Sequence, residues 1–476
     1  MNIFSAHFLF FFSFFFIIYH LSGKNKHLLF LTNLLFIMTY CQTPLSIAPL
    51  IIFVGHGFFW VVLLKKKRHP LFAALSILST LTIFIFLKKY SFVTENLTLH
   101  FYYSVIGMSY ILFRQIHLFV DIYQGEINGD ISFVEYFNYI CFFLSLISGP
   151  ITLFKKFSAE GHQEKHSLSS FTREKTYAVF SRLINGMIKI SFSAYFFLPL
   201  FNKCLKNMDM DSILFPLIFS AASIIYLIHL YLNFSGYMDM VISLGHFIGY
   251  EMPENFIKPF ESKSFLDLWS RWHISLSEWF KTYVFNPLMK FFASKINSTR
   301  LTLYFGATAY FITFLLMGFW HGTTVSFLIY GVYLGFGTSI NKFADARLKK
   351  SSFKDFYEKA QNNFLGQICF TGLSIGYFSV GLACIWLSKE NIISLFTREH
   401  FSFLVPSILL SSLFIIIIRF SNIAINYLCE QLYEKFKRLV DMEIAKQAFL
   451  FSRILILILL VALTFKSTPE FIYRTF

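Results

Sequence analysis

Residues 301–340 read LTLYFGATAYFITFLLMGFWHGTTVSFLIYGVYLGFGTSI, a run whose one candidate for a positive charge is His321. A helix that crosses a bilayer needs roughly 20 apolar residues. Forty residues are therefore enough for two crossing helices, with the break at or near His321, between Gly318 and Gly322. This run predicts a membrane protein built from helices.

The composition extends this prediction to the whole chain. Of its 476 residues, 56% are hydrophobic, 20% are aromatic and only 14% are charged, and Phe alone occurs 66 times. A soluble enzyme or a secreted domain carries more polar surface than this. The apolar runs are continuous and do not alternate with polar residues, which excludes a membrane β-barrel. We expect an all-α, polytopic membrane protein of roughly 11–13 membrane segments.

Apolar runs place the candidate spans. They lie near residues 4–20, 28–42, 46–64, 70–87, 99–120, 133–153, 178–200, 212–234, 301–318, 323–340, 364–388, 401–425 and 448–466. The run 28–42 is short and is expected to be tilted or re-entrant. Three spans separate the basic cluster at Lys65–Arg68 from the polar loop 155–175, so one of the three is expected to be re-entrant if both loops are cytoplasmic.

The net charge of +15 comes from 41 Lys and Arg against 26 Asp and Glu. Four basic clusters adjoin apolar runs, at Lys65–Arg68, Lys155–Lys156, Lys349–Lys350 and Lys435–Arg438. The positive-inside rule makes the loops at Lys65–Arg68, 341–362 and 429–446 cytoplasmic. One apolar run, Phe449–Phe465, then leads to Phe476 outside, and Met1 is expected outside because one span separates it from Lys24. The clusters form no stripe of the kind that binds nucleic acid.

Two alternatives to this topology and chemistry carry little support. The run Phe8–Ile18 has neither a basic region before it nor a small-residue cleavage site after it, so it is interpreted as a retained first helix. The six cysteines are scattered without a Cys-x-x-Cys pair, which indicates neither a zinc site nor a disulfide framework.

His321 is the first candidate for chemistry. An ionisable side chain in an apolar segment is costly in hydrocarbon and indicates a functional site. Burial favours the neutral imidazole, which is the form that a general base needs. The structural alternative is a histidine that bonds a backbone carbonyl or caps a turn.

The segment 265–281, FLDLWSRWHISLSEWFK, is the second candidate. Trp269, Trp272, Leu276, Trp279 and Phe280 recur at helical spacing, which predicts one amphipathic helix in the membrane interface with a tryptophan belt. Arg271 and His273 flank Trp272 and could hold an anionic or hydroxyl-bearing group. An anchoring helix without chemistry is the alternative.

The stretch between about 235 and 300 mixes Gly, Pro, Asn and charged residues into the apolar pattern. Non-spanning backbone at membrane depth is tolerated where protein covers it or where it lines a cavity. Asp239 lies in an apolar context and needs a partner. Ser235 could be the N-cap of a helix that begins after a break.

These segments together resemble the bacterial branch of the membrane-bound O-acyltransferase family, which includes proteins of alginate O-acetylation and of teichoic-acid D-alanyl transfer. The central motifs are Asn233–Asp239, Pro253–Phe256, Arg271–Ser277 and Gly318–Gly322. Further family-like positions are Gly107–Tyr110, Val120–Tyr123, Ser148–Ile151 and Glu470–Tyr473. The chain has Lys281-Thr282 where the branch usually has Arg-Asp, and it lacks a Gly-Gly pair after Pro287-Leu288.

The resemblance implies a ring of helices around a recessed core with a tunnel, reached by the acyl donor and the acceptor from opposite faces. It implies one domain over 1–476, with N-terminal spans in 1–90, a catalytic core in 99–340 and C-terminal spans in 341–476. His321 takes the position of the essential catalytic histidine, and His273 that of a supporting one. Substrate-binding roles are expected for Arg271, Trp272, Asn255, Asp239, Ser235 and Trp320.

The expected activity is that of an O-acyltransferase that moves an acyl group, acetyl first, from a thioester to a hydroxyl of a cell-envelope polysaccharide or its precursor. D-alanyl transfer to teichoic acid from a carrier protein is the alternative. A transporter is disfavoured because no internal repeat is visible, and a scaffold for a partner transferase remains open.

Further expectations concern what the protein binds and where it lies. No metal or bound cofactor is expected, and the donor is acetyl-CoA or an acyl carrier. Expected partners are membrane lipid, the glycan acceptor and an extracytoplasmic partner acyltransferase or acyl carrier protein, without nucleic acid. The predicted location is the inner, cytoplasmic membrane.

Overall fold

The computed structural model describes residues 5–93, 99, 101, 103, 105, 107–161, 172–295, 301–396, 401–437, 451–452 and 455. Within these residues the chain is helical, and its β-structure is one isolated antiparallel bridge between Phe256 and Trp272. Several predicted features lie outside the described residues. They are the span 448–466 except for residues 451, 452 and 455, the part of the basic loop 429–446 after Lys437, the motif Glu470–Tyr473 and both chain ends.

The first ten helices are α1 (Ala6–Leu21), α2 (Lys26–Met38), α3 (Ala48–Lys66), α4 (Pro70–Leu87), α5 (Met108–Gln124), α6 (Phe133–Ile140), α7 (Phe154–Gly161), α8 (Arg173–Phe192), α9 (Leu198–Lys206) and α10 (Phe215–Ile248). The following ten are α11 (Phe265–Trp269), α12 (Ile274–Phe280), α13 (Asn286–Lys295), α14 (Thr302–His321), α15 (Val325–Leu348), α16 (Lys354–Asn362), α17 (Phe364–Gly381), α18 (Ala383–Trp386), α19 (Lys389–Phe396) and α20 (Phe401–Lys437). Short π-helical turns at Ser193–Phe197 and Lys281–Phe285 join α8 to α9 and α12 to α13.

Seven stretches in the described part of the chain are long and apolar enough to cross a membrane. They are Pro44–Lys66, Pro70–Leu87, Glu174–Lys206, Phe215–Ile248, Thr302–His321, Phe364–Trp386 and Phe401–Leu432. His7–Leu21 and Lys26–Met38 are shorter apolar helices. The predicted all-α, polytopic membrane protein is confirmed, and the break at His321 falls where the sequence places it.

The predicted span 133–153 is wrong as a continuous helix. Helix α6 has eight residues, which is about 12 Å of rise, and residues 141–153 are turns and irregular backbone. The cause is Arg114, which is 2% exposed. Its guanidinium donates hydrogen bonds of 2.8 Å to the Ile140 carbonyl and 2.9 Å to the Ser145 carbonyl, so the freed backbone oxygens are satisfied without a helix.

The alternative interpretation of Ser235 as the N-cap after a helix break is also wrong. Helix α10 runs for 34 residues from Phe215 to Ile248, and Ser235 lies inside it rather than at an N-cap. Asp239, which was expected to need a partner, lies in the same helix. Arg182 of α8 lies 2.9 Å from this carboxylate, so the helix continues with the charge compensated.

The chain divides into two compact units. The first contains residues 1–187, 237–254 and 468–476, and the second contains residues 188–236 and 255–467. His273 and His321 both belong to the second unit, while Asp239 belongs to the first. The single domain with its three regions stays a prediction.

Candidate active site

His273 lies in a turn between two short helices. Its backbone is left-handed, with φ of +46° and ψ of +51°, and it is the N-cap of α12. Its carbonyl accepts hydrogen bonds from the amides of Leu276 and Ser277, at 3.1 and 3.0 Å. The side chain is 2% exposed and packs edge-on against Phe234, with ring centroids 4.8 Å apart.

A second segment holds this turn from the side. The amide of Ile257 donates to the Arg271 carbonyl at 3.0 Å, and the amide of Ile274 donates to the Asn255 carbonyl at 3.0 Å. The Asn255 side-chain oxygen accepts the amide of Ser275 at 2.9 Å, and Asn255 is fully buried. The motifs around Asn255 and His273 are therefore one hydrogen-bonded structure, in which Asn255 fixes the backbone on the C-terminal side of His273.

The single interfacial helix predicted for 265–281 is wrong. Helix α11 ends at Trp269 and α12 begins at Ile274, because the left-handed His273 and the bonds to Asn255 and Ile257 replace the helical pattern between them. The five apolar residues of the predicted belt are buried, at 9% exposure or less. Trp272 packs on Phe256, with centroids 5.1 Å apart, so these rings face protein and not the membrane interface.

His321 is the last residue of α14, and Gly322 follows in an extended conformation. The start of α15 passes close to this end of the helix. A Cβ atom at Gly318 would lie 2.4 Å from the Gly331 Cα, and one at Gly322 would lie 2.0 Å from the Phe327 ring. Both glycines are therefore required by packing, and the close contact of α14 with α15 fixes where the half-buried His321 lies.

The two histidines influence each other electrostatically. Burial, and secondly the charge of His321, lower the pKa of His273 to about 3. His273 is therefore a neutral imidazole at physiological pH, able to donate from one ring nitrogen and accept at the other. The structure thus brings His273 and His321 together in one unit, and their catalytic roles stay predictions.

A cavity of about 200 Å³ opens between α11–α12 and α14. Trp269, Phe314 and Met317 are among its apolar lining, and Ser277, Glu278 and Lys281 contribute polar groups. Ser277 follows His273 by about one helical turn, and Met317 precedes His321 by one turn. The predicted non-spanning stretch thus lines a cavity, and neither His273 nor His321 is among the residues that line it.

The sequence profile of the membrane-bound O-acyltransferase family matches residues 4–381. This range includes both histidines and the central motifs Asn233–Asp239, Pro253–Phe256, Arg271–Ser277 and Gly318–Gly322. The chain belongs to the membrane-bound O-acyltransferase family. The chain is 32% identical over 251 residues to the probable alginate O-acetylase AlgI of Pseudomonas syringae pv. tomato, which is 52% of this chain and 45% of that protein.

Two relatives of another kind also match. The chain is 30% identical over 234 residues to the teichoic acid D-alanyltransferase of Bacillus subtilis, which is 48% of this chain and 57% of that protein. It is 28% identical over 302 residues to the teichoic acid D-alanyltransferase of Streptococcus thermophilus, which is 60% of this chain and 71% of that protein. The chain spans about half the length of the curated alginate relatives it matches.

The structure also shows contacts of the remaining predicted site residues. Arg271 is 3.0 Å from Asp267 of α11, an ion pair within its own turn. Trp320 is buried, with its ring centroid 4.8 Å from that of His321. Ser235 is buried in α10, and its hydroxyl bonds no residue of the described chain. Substrate contacts of these residues, and of Trp272, Asn255 and Asp239, stay predictions.

Arg182 was missed by the sequence analysis. It donates to Asp239 at 2.9 Å and to both oxygens of Glu254 at 2.5 and 2.6 Å, all within the first unit. The signal was present, since an arginine inside the predicted span 178–200 needs a partner as much as Asp239 does. The local sequence pattern does not identify the partner of Arg182, because Asp239 lies 57 residues further along the chain.

Proposed function

We propose that this protein is an O-acyltransferase that moves an acyl group, acetyl in the first instance, from a thioester donor to a hydroxyl of a cell-envelope polysaccharide or its precursor. The observation that carries the proposal is the pair of histidines His273 and His321 in one unit, close enough to influence each other electrostatically, in a member of this family. A buried neutral histidine close to a second histidine suits proton transfer from a hydroxyl better than it suits ion transport or scaffolding.

In the proposed reaction His321 is the general base. Its imidazole takes the proton of the acceptor hydroxyl as the oxygen attacks the thioester carbonyl. The resulting imidazolium then protonates the departing thiolate. His273, buried and neutral, orients the acceptor or the imidazole of His321 and does not itself change charge.

D-alanyl transfer to teichoic acid is the second candidate. It is supported by the named relatives in Bacillus subtilis and Streptococcus thermophilus, the latter matched over 60% of this chain. Both reactions join an acyl group to a hydroxyl through the same proton transfers. They differ in the acyl group and in its carrier, and the contacts of His273 and His321 serve either.

The proposal includes the surroundings of the reaction. The donor is acetyl-CoA or an acylated carrier protein, and the protein itself holds no metal or cofactor. The partners are membrane lipid, the glycan acceptor, and an extracytoplasmic acyltransferase or carrier protein. The location is the inner, cytoplasmic membrane, supported by basic clusters such as Lys65–Arg68 next to apolar spans.

The experiment that tests the proposal is compositional analysis of envelope glycans from cells with and without the gene. Mild base releases ester-linked groups, and the released acid is identified by mass spectrometry. Loss of acetate on deletion, restored by the wild-type gene, supports the first reaction, and loss of alanine supports the second. Glycans that keep every ester after deletion contradict both.

A further inference from the structure

Tyr330 lies beside His321 and has no role so far. It belongs to α15, it is 3% exposed, and its ring meets the His321 ring edge-on with centroids 5.9 Å apart. Both residues belong to the second unit. A buried phenol next to a general base brings a hydrogen-bond donor close to the reacting atoms.

The contact between α14 and α15 fixes both side chains at once. Gly331 follows Tyr330 directly, and a Cβ atom there would lie 2.9 Å from the Phe314 carbonyl oxygen. On the facing helix Gly318 touches Gly331, and His321 comes one turn later. Because the two backbones are already as close as glycine allows, neither helix can slide without a clash, and the spacing of His321 and Tyr330 is rigid.

The neighbouring tyrosines show what a structural hydroxyl does here. The Tyr333 hydroxyl donates to the Tyr377 carbonyl at 2.9 Å, and the Tyr377 hydroxyl donates to the Tyr333 carbonyl at 2.5 Å. The hydroxyl of Tyr330 donates to no acceptor among the described residues, and its oxygen is not one of their fully buried polar atoms without a partner, although the residue as a whole is 3% exposed. A hydroxyl that no protein group occupies and that is not fully enclosed is available to donate to a bound substrate.

We propose that Tyr330 is a catalytic hydrogen-bond donor whose hydroxyl bonds the carbonyl oxygen of the acyl donor as negative charge develops on it. The inference rests on the proposed acyl transfer by His321. As the acceptor oxygen forms its bond to the carbonyl carbon, its proton passes to His321 and the carbonyl electron pair moves to oxygen. Tyr330 keeps its proton and only bonds the oxyanion. When the carbonyl re-forms, the carbon–sulfur bond breaks and the thiolate takes the proton from His321.

The test is the rate at which base-labile esters appear on envelope glycans after induction, per amount of full-length protein in the membrane. Tyr330→Phe removes the hydroxyl and keeps the ring, and loss of one oxyanion donor lowers the rate roughly 10²–10³-fold. Tyr333→Phe is the matched control on the same helix, since its hydroxyl is occupied by the Tyr377 carbonyl. This control is expected to lower the melting temperature of the purified protein while the rate of ester formation stays near that of wild type.

The outcomes separate this inference from the proposed function. A Tyr330→Phe protein that keeps the wild-type rate while His321→Ala has none overturns the role of Tyr330 alone. If His321→Ala is fully active, the acyl-transfer mechanism fails and the inference fails with it. Should the phenylalanine variant not accumulate, Tyr330→His is compared with Tyr330→Leu, and only the histidine, which has an N–H donor, is expected to retain measurable activity. Equal rates for those two variants overturn the inference.

Discussion

Gly318→Ala tests whether the contact between α14 and α15 positions His321. The added methyl group would lie 2.4 Å from the Gly331 Cα and 2.6 Å from both the Gly331 nitrogen and the Phe327 carbonyl oxygen. All of these are backbone atoms, so no flexible side chain can move away. The helices must separate, or α14 must rotate, and either movement displaces His321 three residues later.

The size of the effect follows from these distances. Ordinary van der Waals contact begins at 3.4 Å, so relief of a 2.4 Å approach needs a movement of about 1 Å. Overpacking of this kind costs about 1–3 kcal/mol of stability. A catalytic group displaced by about 1 Å loses on the order of 10²-fold in rate. We therefore expect Gly318→Ala to lower the rate of ester formation about a hundredfold.

Gly306→Ala is the matched control on the same helix. A Cβ atom there meets nothing nearer than the Lys342 Cε at 3.8 Å, which is ordinary contact. Because alanine is the better helix former, this variant is expected to gain up to about 1 kcal/mol of unfolding free energy. Its melting temperature is therefore expected to stay the same or to rise slightly. Both variants are assayed for ester formation in cells and for thermal unfolding after purification. A Gly318→Ala protein with the rate and melting temperature of wild type would refute the positioning argument.

Three further predictions concern buried polar groups. Burial lowers the pKa of His273 to about 3, whereas the pKa of histidine in an unfolded chain is about 6.5. Between these two pH values only the unfolded chain binds the proton. The free energy of unfolding therefore falls as the pH drops through this range. Thermal unfolding at pH 7 and pH 5 is expected to show a larger loss for wild type than for His273→Gln, and equal losses would count against a buried neutral His273. Asn255→Ala leaves the buried Ser275 amide without its acceptor and is expected to lower unfolding stability by about 1–3 kcal/mol, whereas an unchanged melting curve would contradict that. Arg182→Ala removes the cation that pairs with Asp239 and Glu254, and it is expected to lower the free energy of unfolding by about 2 kcal/mol. Arg182→Lys is expected to lose less stability, because it keeps the charge but not the bidentate bond. A lysine variant less stable than the alanine variant would disprove this order.

Features set by local pattern could be predicted from the sequence. The span Pro70–Leu87 has the predicted bounds, because an apolar run begins at Pro70, which suits a first helical turn, and ends at Lys88-Lys89. The break after His321 follows from the length of the run 301–340 and from its two glycines. In both cases the residues that indicate the helix end, Pro70 and Lys88 for the first and Gly318 and Gly322 for the second, lie within a few residues of it.

Features set by distant partners could not be predicted. The alternative of a helix break at Ser235 is wrong, and the partner that Asp239 needs is Arg182 in another helix. The single helix expected over 265–281 fails because Asn255 and Ile257 bond the turn that contains His273. The irregular backbone after Ile140 depends on Arg114, 26 residues earlier. In each case a tertiary hydrogen bond overrides the local periodicity.

The most direct test of the central claim is the ester content of envelope glycans in cells whose only copy of the gene carries His321→Ala, with membrane accumulation of the protein verified. Loss of a general base costs about 10²–10⁴ in rate, so esters are expected to fall to the level of the deletion strain. His273→Ala is expected to retain more activity, since a supporting group orients rather than transfers the proton. His56→Ala, a histidine of the first unit that bonds Ser79, serves as the control and keeps the wild-type content. Wild-type ester content in the His321→Ala strain would contradict the account.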